Sequence, residues 1–359
     1  MNDLEILEFE EAYILPHRPN GRNVYGIGGL VDKDGNFIKQ SGFQFCNNQT
    51  ENLDWGGPYG FDPDTVNNIR QEIIFAGFIN NNEWGHFIAD WSTRLWYVMD
   101  NDLPIYFCCR EKQMEILKNI QDLIELCGID IDRIHVLMSG EKPYRFTRVF
   151  LPESSLTAKV HNIEFLKPFK KAVANARAVN DPSKFNKKIY LTRTRMKYCK
   201  EVGEKDIEHI FAKRGFQVVA PEKLSVREQV CMFAGCRELA SLDGSAPHGI
   251  VFCNGGVNHI IFEKTDNRNF RQEVLDELAG ARIRYVRAWF FKTPSVDTMG
   301  PFLVGITDEV RNFCREEGFK CGRRTNIVIC VIIYGCKYFK RHFIDRVCRK
   351  IKGICGNFV

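Results

Sequence analysis

The sequence holds fourteen cysteines, yet it lacks the spacings that would let them act together. There is no CxxC repeat and no histidine at zinc-site spacing. The cysteines are scattered singly or as the adjacent pair Cys108 and Cys109, which excludes a disulfide scaffold and points to reduced thiols in a cytosolic protein. The opening stretch MNDLEILEFEEAYILPHRP lacks a positive region followed by an apolar run, so no secretory or transit signal is expected. The apolar run IVICVIIYGC is too short to span a bilayer, which takes roughly 20 residues. No internal repeat or low-complexity tract is evident. What remains is a chain of 359 residues with 44% hydrophobic content, enough to bury substantial cores and long enough for two domains.

Charge is uneven along the chain. Between Lys320 and Lys352 ten Lys or Arg residues stand against one acid, Asp345, a balance of +9 where the whole chain carries +5. The remainder is therefore net acidic, and nucleic acid is not an expected partner because the body lacks a matching basic surface. In the tail, Phe339, Phe343, Val347 and Ile351 recur every four residues among basic ones. That pattern suits an anionic membrane surface contacted through residues 320–359. A final helix docked on the body with its basic face in water fits the same pattern. The expected location is cytoplasmic, with peripheral attachment to the inner face of the membrane through this tail.

The organisation is alternating strand and helix. A hairpin is predicted at VDKDGNFI, turned by Asp34 and Gly35, then a buried strand at EIIFAGFI and a helix over NNNEWGHFIADWSTRLWYV. Strands at LPIYFCC, RIHVL and RFTRVFLP and a helix closed by Gly128 complete a parallel-sheet pattern. A helix over IEFLKPFKKAVANARAV leads to the polar segment NDPSKFNKK, the best boundary candidate. The second half alternates more cleanly, with strands at KIYLTR, FQVVAP, ELASLD, VNHIIFE and IRYVRAW. Its helices include SVREQVCMFAG, opened by a capping box of Ser225 and Glu228. The predicted division is residues 1–180, an acceptor-side α/β domain; 186–300, a nucleotide-sugar-binding Rossmann-like domain; and 301–359, a helical region with the basic amphipathic tail. Two Rossmann-like halves place ligands at the carboxyl ends of strands, in the cleft between domains.

Several residues stand out on that frame. In LDGSAPHG, Gly244 permits a sharp turn, Ser245 can cap the next helix, and Pro247 suits its first turn, leaving N–H groups at a positive terminus where phosphate binds. His248 could add a donor to a diphosphate; the alternative is a purely structural turn. Arg193 and Arg195 emerge at a strand end, where a guanidinium can grip phosphate oxygens in bidentate fashion. Glu263, closing HIIFE, is placed to accept hydrogen bonds from ribose hydroxyls. On the helix 80–98, Trp84, Phe87, Ile88, Trp91 and Leu95 make the core-facing stripe, and His86, Asp90 and Arg94 a second line at steps of four. The bland reading is a solvated face with an Asp90–Arg94 ion pair. Because the helix follows a strand directly, a carboxylate there could deprotonate a hydroxyl, and a histidine could orient the acceptor or act as base. The Asp62 and Asp64 pair of FDPD has Asp-x-Asp metal spacing but reads better as a turn. YGIGG is no dinucleotide fingerprint, since no helix follows it.

Three stretches, NEWGHFIADWSTRLW, KIYLTRTR with KRGFQVVAPEKLSVREQVCMFAGC, and SLDGSAPHGIVFCNGGVNHIIFE, together resemble the family 61 glycosyltransferases, particularly bacterial members of capsular polysaccharide synthesis. The likeness covers roughly residues 70 to 265. Asn82, His86 and Asp90 look like the family's Asn, His and acidic motif, which implies Asp90 as catalytic base, with Asn82 and Arg94 on the acceptor side. Arg193 carries the second motif; Gly244, Ser245, Ala246 and His248 carry the third, with PHG standing where many members show HGA or LHN. The resemblance implies a GT-B-like fold of two Rossmann-like domains facing a cleft. It also implies inverting transfer from a nucleotide-sugar donor to a saccharide or glycolipid acceptor. No cofactor is expected to be required, and a divalent metal is not expected. Two rivals are a two-domain nucleotide-sugar epimerase and a non-catalytic nucleotide-binding module of a membrane-associated assembly.

Overall fold

The apolar strand runs pair into two sheets, and helices pack between them. The computed structural model describes residues 3–20, 25–44, 52–79, 84–110, 120–157, 159–178, 184–196, 201–291, 300–321 and 325–340. In the first half the strands are β1 (Ile6–Glu10), β2 (Tyr13–Arg18), β3 (Ile27–Val31), β4 (Asn67–Ile79), β5 (Ile105–Cys109), β6 (Ile134–Leu137) and β7 (Tyr144–Pro152). Their order is β3-β2-β7-β4-β5-β6, with β1 also on β7. Strands β7, β4, β5 and β6 run parallel, as the alternation with helices predicts. The N-terminal segment departs from that pattern: β1 and β2 lie antiparallel along β7, and β3 antiparallel to β2. Antiparallel neighbours need no crossover helix, so this segment shows none of the helix-strand rhythm. At VDKDGNFI the chain does turn back, with Gly35 at φ 84° and an isolated bridge between Val31 and Phe37.

The helix predicted over 80–98 is not continuous. It consists of α1 (Trp84–His86), a π turn over Phe87–Trp91 and, after a break at Ser92–Arg94, α2 (Leu95–Val98). The Ser92 N–H donates to the Phe87 carbonyl five residues back at 3.1 Å, widening the turn by one residue. The apolar stripe survives, for Phe87, Ile88, Trp91 and Leu95 are buried, and Phe87 and Trp91 meet edge to face with centroids 4.6 Å apart. The polar line does not survive past Asp90, because the wide turn and the break rotate Arg94 away. Further on come α3 (Gln121–Leu126) and α4 (Lys167–Arg177).

The second half contains β8 (Lys188–Leu191), the short β9 (Glu201–Val202), α5 (Glu204–Lys213), β10 (Gln217–Val219), α6 (Val226–Gly235), β11 (Glu238–Leu242), β12 (Asn258–Glu263), α7 (Phe270–Leu278), β13 (Arg282–Arg287), β14 (Phe302–Leu303), α8 (Asp308–Glu316) and α9 (Ile327–Phe339). The capping box of Ser225 and Glu228 opens α6 as predicted. Five strands form an all-parallel sheet in the order β10-β8-β11-β12-β13. Counted along the chain that order is 2-1-3-4-5, the doubly wound arrangement whose strand order reverses between β8 and β11.

Among the described residues three large apolar clusters and one small one, around Tyr13, Leu15 and Val31, hold these layers. One lies between the sheets and joins Phe87, Trp91, Phe107, Phe165 and Phe169 of the first half to Val230, Phe233 and Phe252 of the second. A second, around Tyr190, Phe211, Phe262 and Phe313, packs α5 and α8 on the far face of the parallel sheet. The third, around Trp55, Phe75, Phe78 and Phe146, closes the far face of the first sheet. The architecture is thus mixed α/β with two sheets and intervening helices, the two halves meeting through a shared apolar layer. Among the described residues no helix is long and apolar enough to cross a membrane. Of the amphipathic tail positions only Phe339 is described; Phe343, Val347 and Ile351 lie outside the described residues.

Candidate active site

Switch points of parallel sheets open a crevice because neighbouring crossovers leave on opposite faces. Arg193 lies two residues beyond β8, and Asp243 and Gly244 directly follow β11, so the reversal brings them together. A Cβ on Gly244 would sit 3.1 Å from Nη1 of Arg193 and 3.8 Å from Nζ of Lys264. The bare glycine is what lets the Arg193 guanidinium approach the turn so closely. Arg193 Nε pairs with Glu201 Oε1 at 2.9 Å and Lys264 Nζ with the same oxygen at 3.5 Å. Despite burial, these two cations hold the Glu201 carboxyl below the usual range. Glu204, buried one turn away, has no such partner. Its Oε1 accepts from the Arg193 N–H at 3.0 Å and from the Tyr190 hydroxyl at 3.4 Å. Burial pushes its carboxyl up to about 8, so it keeps its proton at neutral pH. Burial likewise raises Asp243 and lowers the Lys264 ammonium.

Arg195 is exposed in the turn beyond. Glu263 ends β12 and accepts from Arg268 Nε at 2.9 Å. Ser245 does not cap the helix that follows. Its backbone is already helical, its side chain makes no capping bond, and the helix is a seven-residue 3-10 segment, Ala246–Phe252, with Pro247 in the first turn. Within it Gly249 packs directly under the Phe233 ring, where a Cβ would be 2.1 Å away.

On the other side of this turn stands the first-half helix. A Cβ on Gly85 would come within 2.6 Å of the Ser245 Cβ and 3.3 Å of the His248 ring. One turn from that contact, His86 Nδ1 bonds Asp90 Oδ2, and Arg271 Nε reaches the other oxygen, Oδ1, at 3.2 Å. Asp90 is buried, with its side chain 5% exposed, whereas that of His86 is 23% exposed. A carboxylate acceptor fixes the tautomer of its histidine: Nδ1 carries the proton and Nε2 keeps a lone pair.

His248 is buried, and its Nδ1–H donates to Gln272 Oε1 at 2.7 Å. Gln272 in turn donates to Asp276 Oδ2 at 2.9 Å, and Asp276 Oδ1 accepts from His259 Nδ1 at 2.5 Å. Burial lowers His248 to about 4. It is neutral at pH 7, and its single N–H goes to Gln272 rather than outward to a diphosphate.

Arg94, aligned with His86 and Asp90 by sequence, lies elsewhere. It is buried, donating from Nε to the Pro152 carbonyl at 2.8 Å and from Nη2 to the Gln40 carbonyl at 2.6 Å, and burial lowers it to about 10. It pins the ends of β7 and the loop before β4, at the edge of a cavity of about 300 Å³ shared with Lys39, Phe43 and Ser154. Asn82 lies outside the described residues. Asp62 and Asp64 form a turn, the Asp64 N–H donating to Asp62 Oδ1 at 3.0 Å. Among the described residues no three His, Cys, Asp or Glu side chains group to hold a metal ion.

Sequence reasoning missed Arg271, Lys264, Glu201 and Glu204. Lys264 and Arg271 follow the carboxyl end of β12, so the strand-end rule that selected Glu263 and Arg193 would have reached them had it been extended along the loop.

Compared with known proteins, residues 84–260 match the family model Glycosyltransferase 61. That span holds both polar clusters except Lys264 and the α7 residues. No curated protein matches the chain.

Proposed function

We propose that this chain, a member of the glycosyltransferase 61 family across residues 84–260, performs inverting transfer of a sugar from a nucleotide-sugar donor to a hydroxyl of a glycan or lipid-linked saccharide in surface polysaccharide synthesis. Membership makes it a glycosyltransferase; donor, acceptor and stereochemistry are the proposal. One observation carries it: at the Gly85–Ser245 contact a His–Asp pair abuts a glycine turn flanked by two cations. Inverting transfer needs those two halves, a base behind the acceptor hydroxyl and positive charge ahead of the departing diphosphate.

In this reading His86 Nε2 takes the proton of the attacking hydroxyl, and Asp90 holds the imidazole and stabilises the imidazolium that forms. Asp90 is expected as base from the family resemblance. Its burial and its two nitrogen partners favour His86 as the group facing the acceptor. Arg271 holds the other carboxylate oxygen of Asp90 in place. Arg193 and Lys264 receive the diphosphate. With Glu204 protonated, Arg193 and Lys264 face the two remaining acids, Glu201 and Asp243, and a diphosphate would compete with those carboxylates for the two cations. In this reading the cations meet the charge of the leaving group without a divalent metal. The domain roles are likewise proposed as acceptor-side for residues 1–180 and donor-side for 186–300, with Glu263 and Arg195 at the donor's rim.

The test is a thermal-shift and transfer assay with nucleoside diphosphates and a panel of nucleotide-sugars, with and without manganese. Stabilisation by one nucleotide class that disappears in Arg193→Ala supports the donor site. No shift with any nucleotide in well-folded protein would remove it.

A further inference from the structure

In a water-soluble fold a helix buries one face on its neighbours, and α8 does so through Val310, Phe313 and Cys314. Helix α9 does not. None of its 13 residues is buried; Val328, Ile329 and Ile332 are each more than half exposed, and Val331 and Ile333 are exposed as well. Five β-branched or aliphatic side chains in water on one short helix form a patch that monomeric proteins do not leave uncovered. The helix is fixed to the body along its other side. It packs on β9 and β14, where a Cβ at Gly203 would lie 3.7 Å from the Cys330 sulfur. Its start is set by Asn326, whose side chain accepts from the Ile329 N–H.

We propose that α9 is a monotopic anchor that lies in the interface of an anionic bilayer. Its length, about 20 Å at 1.5 Å per residue, falls short of the roughly 30 Å hydrocarbon core, so it can enter one leaflet but not cross. What commits the face to lipid rather than to another protein is charge. Lys320, Arg323 and Arg324 precede the helix in sequence, Lys337 and Lys340 end it, and the balance over 320–352 is +9. Apolar residues between basic flanks match acyl chains beneath anionic headgroups. A second copy of this chain would bring the same positive charge against itself. The apolar contact falls on Val328, Ile329 and Ile332 in α9, about two to three turns before the Phe339-to-Ile351 series that the sequence pattern favoured. The geometry also has a consequence for the site. Strand β9, against which α9 packs, begins with Glu201, the shared partner of Arg193 and Lys264, so docking would hold the cation cluster close to the membrane surface.

The experiment is vesicle flotation of the full chain, independent of any sugar transfer. Phosphatidylcholine vesicles containing phosphatidylglycerol are compared with phosphatidylcholine alone, for the wild type and for Val328→Asp with Ile332→Asp. The expected result is flotation with the anionic vesicles, weakened by high salt, and a loss of about tenfold or more in the double variant. Its thermal unfolding should be unchanged, because no α9 side chain is buried. Equal flotation of variant and wild type would overturn the proposal, as would no flotation of the wild type. Concentration-dependent self-association that the variant abolishes, without lipid binding, would overturn it in favour of a contact between copies.

Discussion

Asp90 is one buried carboxylate with two nitrogen partners, His86 and Arg271. Across the Gly85–Ser245 contact, three acids, Glu201, Glu204 and Asp243, share two cations, Arg193 and Lys264. In the first cluster each carboxylate oxygen has its own nitrogen partner, so the group is held in one orientation, an arrangement for orienting a proton acceptor. The second buries more acid than its cations can neutralise, and the protein responds by leaving Glu204 protonated. Arg193 and Lys264 then stand against Glu201 and Asp243, partners that an incoming diphosphate would displace. Burial alone therefore does not decide ionisation; the count of partners within reach does.

Removing the charge from the matched cluster should have the largest effect. Asp90→Asn keeps the size of the side chain but loses the anion that fixes the His86 tautomer. Transfer should fall by on the order of 10³–10⁴ in kcat, with nucleoside diphosphate affinity nearly unchanged. His86→Ala should match it, and the double variant should be no worse than either alone, because the two act as a unit. Full activity in Asp90→Asn, measured by product formation at saturating donor, would remove the pair from the chemistry.

In the overloaded cluster the expected signature is in stability against pH. The Glu204 folded value, about 8, lies above its ordinary 4.5. The stabilisation from its proton is fully present below pH 4.5 and is lost as pH rises through 8, up to about 5 kcal/mol. His248 has the opposite sign: lowered from 6.5 to about 4, it lowers stability as pH falls from 6.5 towards 4. Wild-type stability should therefore decline on the alkaline side above about pH 6.5. Glu204→Gln preserves the acceptor for the Arg193 N–H and cannot ionise, so denaturant melts should show that decline flattened. An unchanged alkaline decline in the variant would mean that Glu204 is already ionised.

Lys264→Ala comes next, with a smaller loss read in binding. One charge-assisted contact to phosphate is worth about 1.5–3 kcal/mol, so diphosphate affinity should drop by roughly ten- to a hundredfold by calorimetry. Glu201 would keep Arg193 as partner, but buried Asp243 would lose its main cation, so some stability should be lost as well and affinity is read below the variant's unfolding range.

Much of this was legible before the fold. Strand positions follow from alternating apolar runs, and the His86–Asp90 pair from a spacing of four on a helix that begins at a strand end. Arg94 was misplaced because a π turn is invisible to a 3.6-residue period; one extra residue in the turn rotates everything after it. His248 and Ser245 were misread through the helix type, since the segment is wound as 3-10 and Ser245 already has helical backbone. Arg271, Lys264 and Glu201 were missed because each acts from a separate element. Extending the strand-end rule past β12 reaches Lys264 and Arg271, but only the 2-1-3-4-5 strand order and the approach of α7 show which groups they meet.

The smallest expected effect tests the junction between the clusters. Gly→Ala inside a helix ordinarily stabilises it by about 1 kcal/mol. At Gly85 the added carbon would lie 2.6 Å from the Ser245 Cβ, well inside van der Waals contact, and neither atom sits on a flexible arm that could swing away. Overpacking of this kind costs about 1–3 kcal/mol, so the net change in Gly85→Ala should be destabilising by about 1 kcal/mol, with reduced transfer as the His86 helix is pushed off the Gly244 turn. Ser245→Gly removes the opposing carbon at a backbone angle glycine tolerates. If the contact is the cause, the double variant should recover most of the stability lost in Gly85→Ala, a coupling that a double-mutant cycle reads directly. If the two changes simply add, the clash is not what separates the halves, and the matched and overloaded clusters do not depend on this joint for their alignment.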